Sequence, residues 1–159
     1  MLIALAVVAL DRWTKVWVLA RFQVHESAPA VPGVFRWTYV QNRGAAFGLL
    51  QDQTLLLAAV ALVVIAVIVY WTPRLPGRAL TVRAALGLQL GGAVGNLIDR
   101  LRWGFVVDFI DLDFWPLHRW PVFNVADAAI VTGTALLVLW LLLAEGAGTR
   151  PGGGGTNRL

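Results

Sequence analysis

The sequence predicts an all-α membrane protein: four transmembrane helices with a small extracytoplasmic β-sheet and an interfacial loop or helix. Two observations carry this. Of 159 residues, 58% are hydrophobic and only 14% charged, with a mean hydropathy of +0.71, whereas a soluble domain holds about 25% charged residues. The apolar excess is gathered into runs near the roughly 20 residues a helix needs to cross a bilayer, at residues 1–20, 54–71, 79–98 and 125–144. A disordered tail and an ordinary soluble enzyme are both excluded.

The first run lacks a basic start, is interrupted by Asp11, Arg12 and Lys15, and is followed by no small-residue cleavage site, so it reads as a retained helix. Asp11 and Lys15, four apart, share a face and neutralise each other. In the long connection 21–53, Phe35, Trp37 and Tyr39 alternate with Arg36 and Thr38 after a Pro32-Gly33 turn, the pattern of a strand with one aromatic face. That strand places a small sheet at the membrane interface.

Thr54 to Trp71 carries no charge, and a tight basic turn, Thr72 to Arg78, follows it. The third run aligns Gly87, Gly91 and Gly95 at intervals of four, so that another helix can approach closely. In the second long connection, 99–124, Trp103, Trp115 and Trp120 suit the headgroup layer. Ala128 to Ala144 is again uncharged. Residues 1–145 thus form one membrane domain, and 146–159, with the glycines ending at Gly155, a flexible tail.

Four spans put both long connections on one side. Arg74, Arg78, Arg150 and Arg158 mark the other side as cytoplasmic, weakly, since Arg36, Arg43, Arg100, Arg102 and Arg119 oppose them.

Zero cysteines exclude disulfides, thiol nucleophiles and cysteine-held metals, and His25 and His118 are too few for a multi-histidine metal site. The net charge of +4 is spread singly at the ends of apolar runs, which argues for membrane-edge anchoring and against nucleic acid.

Five of the nine acids, Asp99, Asp108, Asp111, Asp113 and Asp127, fall between the end of the third run and the start of the fourth. An ionised aspartate in a membrane helix costs about 2.5–3.5 kcal/mol on insertion scales. Alternating spans bring Asn42, Asn96, Asp99, Arg100, Asp108, Asn124 and Asp127 to one end of the bundle, with Asn96, Asp99 and Arg100 on one helical face. Bland readings exist for most: Asn124 and Asp127 as a helix cap, Asp99 with Arg100 as an ion pair, Asp111 and Asp113 as solvated loop charges. Two carboxylates in a partly dry site, however, share a proton, and such a pair activates water against an amide. The alternative is a small proton-coupled transporter with an aspartate relay; acids confined to one end and the lack of an internal repeat disfavour it. A noncatalytic scaffold would explain the glycines and leave the acids unexplained.

Asp11-Arg12-Trp13-Thr14-Lys15, Gln41-Asn42-Arg43-Gly44-Ala45-Ala46-Phe47-Gly48, Gly91 to Arg100, Val107-Asp108-Phe109-Ile110-Asp111 and Phe123-Asn124-Val125-Ala126-Asp127 closely resemble, in order, the motifs of the lipoprotein signal peptidases, signal peptidase II. The resemblance spans residues 1–145, with almost nothing ahead of the first span where that family usually has a short cytoplasmic segment. It implies an aspartyl endopeptidase of the bacterial inner membrane that cleaves prolipoproteins before a diacylglyceryl-modified cysteine. It implies Asp108 and Asp127 as catalytic, and Asp11, Lys15, Asn42, Gly44, Asn96, Arg100 and Asn124 as substrate-binding or supporting residues. It further implies no metal or cofactor, contact with membrane lipid, inhibition by globomycin-type lipopeptides, cytoplasmic termini and a site near the extracytoplasmic face.

Overall fold

A computed structural model describes residues 1–45, 49–76 and 79–148, with the backbone alone for 145–148. Ala46-Phe47-Gly48 of the second motif, Gly77 and Arg78 of the basic turn, and the tail with Arg150, Arg158 and Pro151 to Gly155 lie outside the described residues. The elements in chain order are α1 (Leu2–Leu19), β1 (Ser27–Val31), β2 (Phe35–Asn42), α2 (Thr54–Trp71), α3 (Leu80–Trp103), β3 (Val106–Leu112) and α4 (Val125–Gly148), with short 3-10 turns at Thr72–Arg74 and Leu117–Arg119.

Helix α3 is the axis of the bundle and packs against α1, α2 and α4. Small residues let two neighbours close on it from different sides. A Cβ added to Gly91 would stand 2.6 Å from the Val7 Cβ and 2.8 Å from the Ala4 carbonyl of α1, and one added to Gly92 would strike the Ala126 carbonyl of α4. Both obstacles include backbone, which cannot swing aside. The glycine face expected at Gly87, Gly91 and Gly95 therefore receives α1, and the adjoining Gly92 admits α4.

Among the described residues two helical stretches, Thr54–Arg74 and Val125–Ala144, are long and apolar enough to cross a membrane. Helix α1 falls short of that measure through Asp11, Arg12 and Lys15, and α3 through its polar residues and glycines. Several of their polar groups point inward: Asp11, Lys15, Asn96 and Asp99 are all buried, while Leu2, Leu5, Trp13 and Val16 of α1 are exposed. The mostly helical architecture matches the predicted class.

The three strands form one antiparallel sheet in the order β1-β2-β3 at the end of the bundle where α1 and α3 finish. Its aromatic face is the predicted one. The Trp37 ring meets Phe35 edge-on at 5.1 Å and Trp17 of α1 at 5.3 Å, and Tyr39, Val107 and Phe109 close over Val18. Such aromatic pairs add about 0.5–1.5 kcal/mol beyond the area they bury. The sheet is thereby fastened to α1.

Strand β3 was not expected. Its sequence, Val106-Val107-Asp108-Phe109-Ile110-Asp111-Leu112, does not alternate, because residues 106–109 are buried on both faces and need no polar side. Two expectations change with it. Asp111 is no free loop charge: it lies in β3 opposite Arg36 and accepts a hydrogen bond from the Thr38 hydroxyl at 2.8 Å. Trp103 is the last residue of α3, which runs past the expected end at 98, and stacks on Phe105. Helix α4 likewise continues to Gly148, so helix occupies the first residues assigned to the tail.

Candidate active site

Asp108 is delivered by β3 and Asp127 by the first turn of α4, and both line one cavity of about 720 Å³ together with Asn42, Gly44, Asn96 and Arg100. Pairing fixes the strand side: Val40 of β2 stands opposite Asp108, and Asn42 opposite Val106. On the other edge of β3, the Phe109 and Ile110 amides donate to the Phe123 carbonyl at 3.0 and 2.7 Å. That bridge leads straight into the start of α4, so the two acidic positions are held in one framework.

The start of α4 is capped as its sequence predicts. The Asp127 amide donates to the Asn124 Oδ1 at 2.9 Å, and the Asn124 amide returns a bond to the Asp127 carboxylate at 3.2 Å. The same asparagine does more than cap. Its Nδ2 donates to the Asp108 Oδ1 at 2.6 Å and to the Asn96 Oδ1 at 3.2 Å. One side chain thus caps α4 and also reaches Asp108 and Asn96.

Every oxygen of the two carboxylates receives a donor. Asp108 accepts from the Asn124 and Asn42 amides, the latter at 2.9 Å. Asp127 accepts from the Asn96 Nδ2 at 2.7 Å and from the Asn124 backbone. Donors of this kind offset part of the cost of holding charge away from water. Burial nevertheless wins at Asp108: desolvation first, and then the neighbouring Asp127 charge, push its carboxyl up to about 7 against the opposing bonds from Asn42 and Asn124.

Behind this layer lies a second, ionic one. Lys15, fully buried, reaches Asp99 at 2.7 Å, Asp11 at 3.0 Å and the Asn96 Oδ1 at 3.1 Å. Arg12 bridges Asp11 at 2.7 Å and Asp99 at 2.5 Å. The expected Asp99–Arg100 pair is therefore absent, because Asp99 turns toward α1 while Arg100 turns into the cavity and donates to the Gly44 carbonyl at 3.1 Å. Asp99 also accepts the Val107 amide at 3.1 Å, and Asp11 the Ala126 amide at 3.2 Å. Each back-layer acid thus grips the residue next to an aspartate of the cavity.

Sequence reasoning assigned no part to Arg12, although its place between Asp11 and Lys15 was the available signal. It also left out Pro121 and Val122, which line the cavity between Trp120 and Phe123. A second, narrower cavity of about 410 Å³ runs from Asn96, Arg100 and Asp127 along Leu57, Val60, Ala61 and Val64 of α2 and Gln89 and Ala93 of α3. Among the described residues no group of three or more metal-ligating side chains is gathered.

Residues 3–143 match the family model for signal peptidase (SPase) II. The lipoprotein signal peptidase of Moorella thermoacetica is 47% identical over 92% of this chain and 94% of its own length. That of Syntrophomonas wolfei is 50% identical over 87% and 89%. A solved bacterial membrane enzyme, determined by the in meso method, superposes with a TM-score of 0.86 at 29% identity, covering 97% of this chain and 93% of that one.

Proposed function

The chain belongs to the signal peptidase II family, and from that premise we propose an aspartic endopeptidase that frees prolipoproteins of their signal peptide by carboxylate-activated water, cutting before the diacylglyceryl-modified cysteine. The observation that carries the mechanism is one cavity faced by two buried aspartates from different elements, each bracketed by amide donors. Asp108 and Asp127 are the proposed catalytic pair.

With one carboxyl protonated and the other ionised, the ionised member takes a proton from water as the water oxygen attacks the scissile carbonyl carbon. The protonated member supplies a proton as the tetrahedral centre collapses and the C–N bond breaks. The products are a signal peptide ending in a carboxyl group and a lipidated chain beginning with the free amine of cysteine. Arg100, anchored on Gly44, is placed to meet substrate carbonyls, and Asn42, Asn96 and Asn124 hold the acids apart from bulk water.

The substrate carries a signal helix and a lipid in the same membrane, which suits a cavity with an apolar extension. In this reading residues 1–145 are one domain with all four helices crossing the bacterial inner membrane, both termini cytoplasmic and the sheet outside. The narrow cavity beside α2, whose residues 57, 60, 61 and 64 are all apolar, takes the signal helix. A globomycin-type lipopeptide would occupy the larger cavity.

The test is purified protein with a diacylglyceryl-modified prolipoprotein, with and without chelator. Release of a chain beginning at the modified cysteine, undiminished by chelator and absent with unlipidated precursor, is expected. Chelator-sensitive cleavage, or none, would overturn the reading.

A further inference from the structure

The three asparagine amides that face the aspartates are all turned the same way, and each is turned by a donor on its oxygen. An amide is nearly symmetric in shape, so only its hydrogen bonds decide which end points where. The Gly44 amide donates to the Asn42 Oδ1 at 2.9 Å and the Asp127 amide to the Asn124 Oδ1 at 2.9 Å. Both of those donors are backbone. For Asn96 the oxygen receives two side chains, the charged Lys15 Nζ at 3.1 Å and the neutral Asn124 Nδ2 at 3.2 Å.

Lys15 has a structural task as well, since it lies between Asp11 and Asp99. Those two acids are already balanced by Arg12 and Lys15, two charges against two. Its third ammonium proton goes to Asn96, whose nitrogen then has Asp127 as its partner at 2.7 Å. Asp127 also sits in the first turn of α4, where a helix favours negative charge.

Resting on the peptidase reading above, we infer that Lys15 is a positioning residue: it holds the Asn96 amide with its nitrogen toward Asp127 and so keeps Asp127 the ionised member of the pair. Without Lys15 the Asn96 oxygen keeps only the neutral Asn124 donor at 3.2 Å, and the amide can turn to present that oxygen, which accepts from a protonated Asp127 and removes the base. The charged groups around this cluster are Asp11 and Arg12 from α1, Arg43 just after β2, Asp99 and Arg100 from α3, Asp108 from β3 and Asp127 from α4; α2 carries none, and the Arg36 of β2 is committed to Ser27.

The experiment measures kcat and KM against pH with lipidated prolipoprotein for wild type, Lys15→Met, Asp99→Asn, and the charge-balanced double variant Lys15→Met/Asp99→Asn, each checked for folding by thermal unfolding. Loss of a hydrogen bond to a charged group predicts about a 10- to 100-fold lower kcat in the double variant. KM should stay within about twofold and the acid limb of the kcat profile should move toward neutral pH. Asp99→Asn alone should leave that limb in place. A folded double variant with the wild-type limb would overturn the inference, whether or not kcat fell. So would a double variant that cannot fold while Asp99→Asn does, since Lys15 would then be framework only. Absence of cleavage by wild type would instead indict the peptidase reading itself.

Discussion

Asn124→Asp separates the two tasks of a fully buried side chain. Aspartate caps a helix about as well as asparagine, so the bond from the Asp127 amide survives. What is lost is the amide donor lying 2.6 Å from Asp108, which leaves an oxygen against an oxygen. A hydrogen bond to a charged group is worth roughly 1.5–3 kcal/mol, or about 10- to 150-fold in rate if it acts in the transition state. Repulsion between the two acids adds to this, so turnover near pH 7 should fall at least about 100-fold. Lowering the pH should restore part of it, because the introduced carboxyl regains a proton and with it a donor toward Asp108. Asn124→Ala loses the cap as well, about 1 kcal/mol, and has no proton to regain. Cleavage of lipidated prolipoprotein across pH 5–8, alongside thermal unfolding in the same detergent, reads both effects. Equal pH profiles for the aspartate and alanine variants would refute the reasoning, as would wild-type turnover at pH 7 in Asn124→Asp.

Other outcomes follow from the same geometry. Because burial raises Asp108 to about 7, the pair keeps its shared proton below that value, and activity should decline as pH climbs through it, on a limb that belongs to the pair. Stability carries the same sign: the unfolded carboxyl ionises near its ordinary value of about 4, so the unfolded state gains as pH rises from there to about 7, and unfolding midpoints should drop over that range in wild type more than in Asp108→Asn. Ala61→Trp, which fills the apolar cavity beside α2, should lower kcat/KM about tenfold for a substrate with a full signal helix and leave a short lipopeptide substrate nearly unaffected; equal losses for both would place the signal helix elsewhere. With zero native cysteines, Gln53→Cys and Pro76→Cys give background-free topology probes, and an impermeant thiol reagent on intact spheroplasts should label the first and spare the second.

The sequence revealed the helices because burial and lipid contact both demand long apolar runs, and it revealed β2 because Phe35, Trp37 and Tyr39 alternate. It did not reveal β3, whose covered half obeys no period. The gathering of Asn42, Asn96, Asp108, Asn124 and Asp127 at one end was legible from alternating spans alone, since helix direction fixes which ends meet. Partner choice within that gathering was not. Asp99 stands beside Arg100 in the chain, yet adjacent residues on a helix point about 100° apart, and Asp99 finds Arg12 and Lys15 across the glycine face instead. That Lys15 reaches past Asp11 to Asp99 and Asn96 depends on how closely α1 approaches α3, a distance set by packing.

The claim that Asp108 and Asp127 jointly perform hydrolysis is tested most directly by following the product chain by mass spectrometry with purified wild type, Asp108→Asn and Asp127→Asn at matched folding. An amide can neither take a proton from water nor supply one on the scale of a carboxyl, so a product beginning at the lipidated cysteine should form with wild type and fall at least about 1,000-fold in each variant. Robust turnover by either folded variant would contradict a two-carboxylate mechanism.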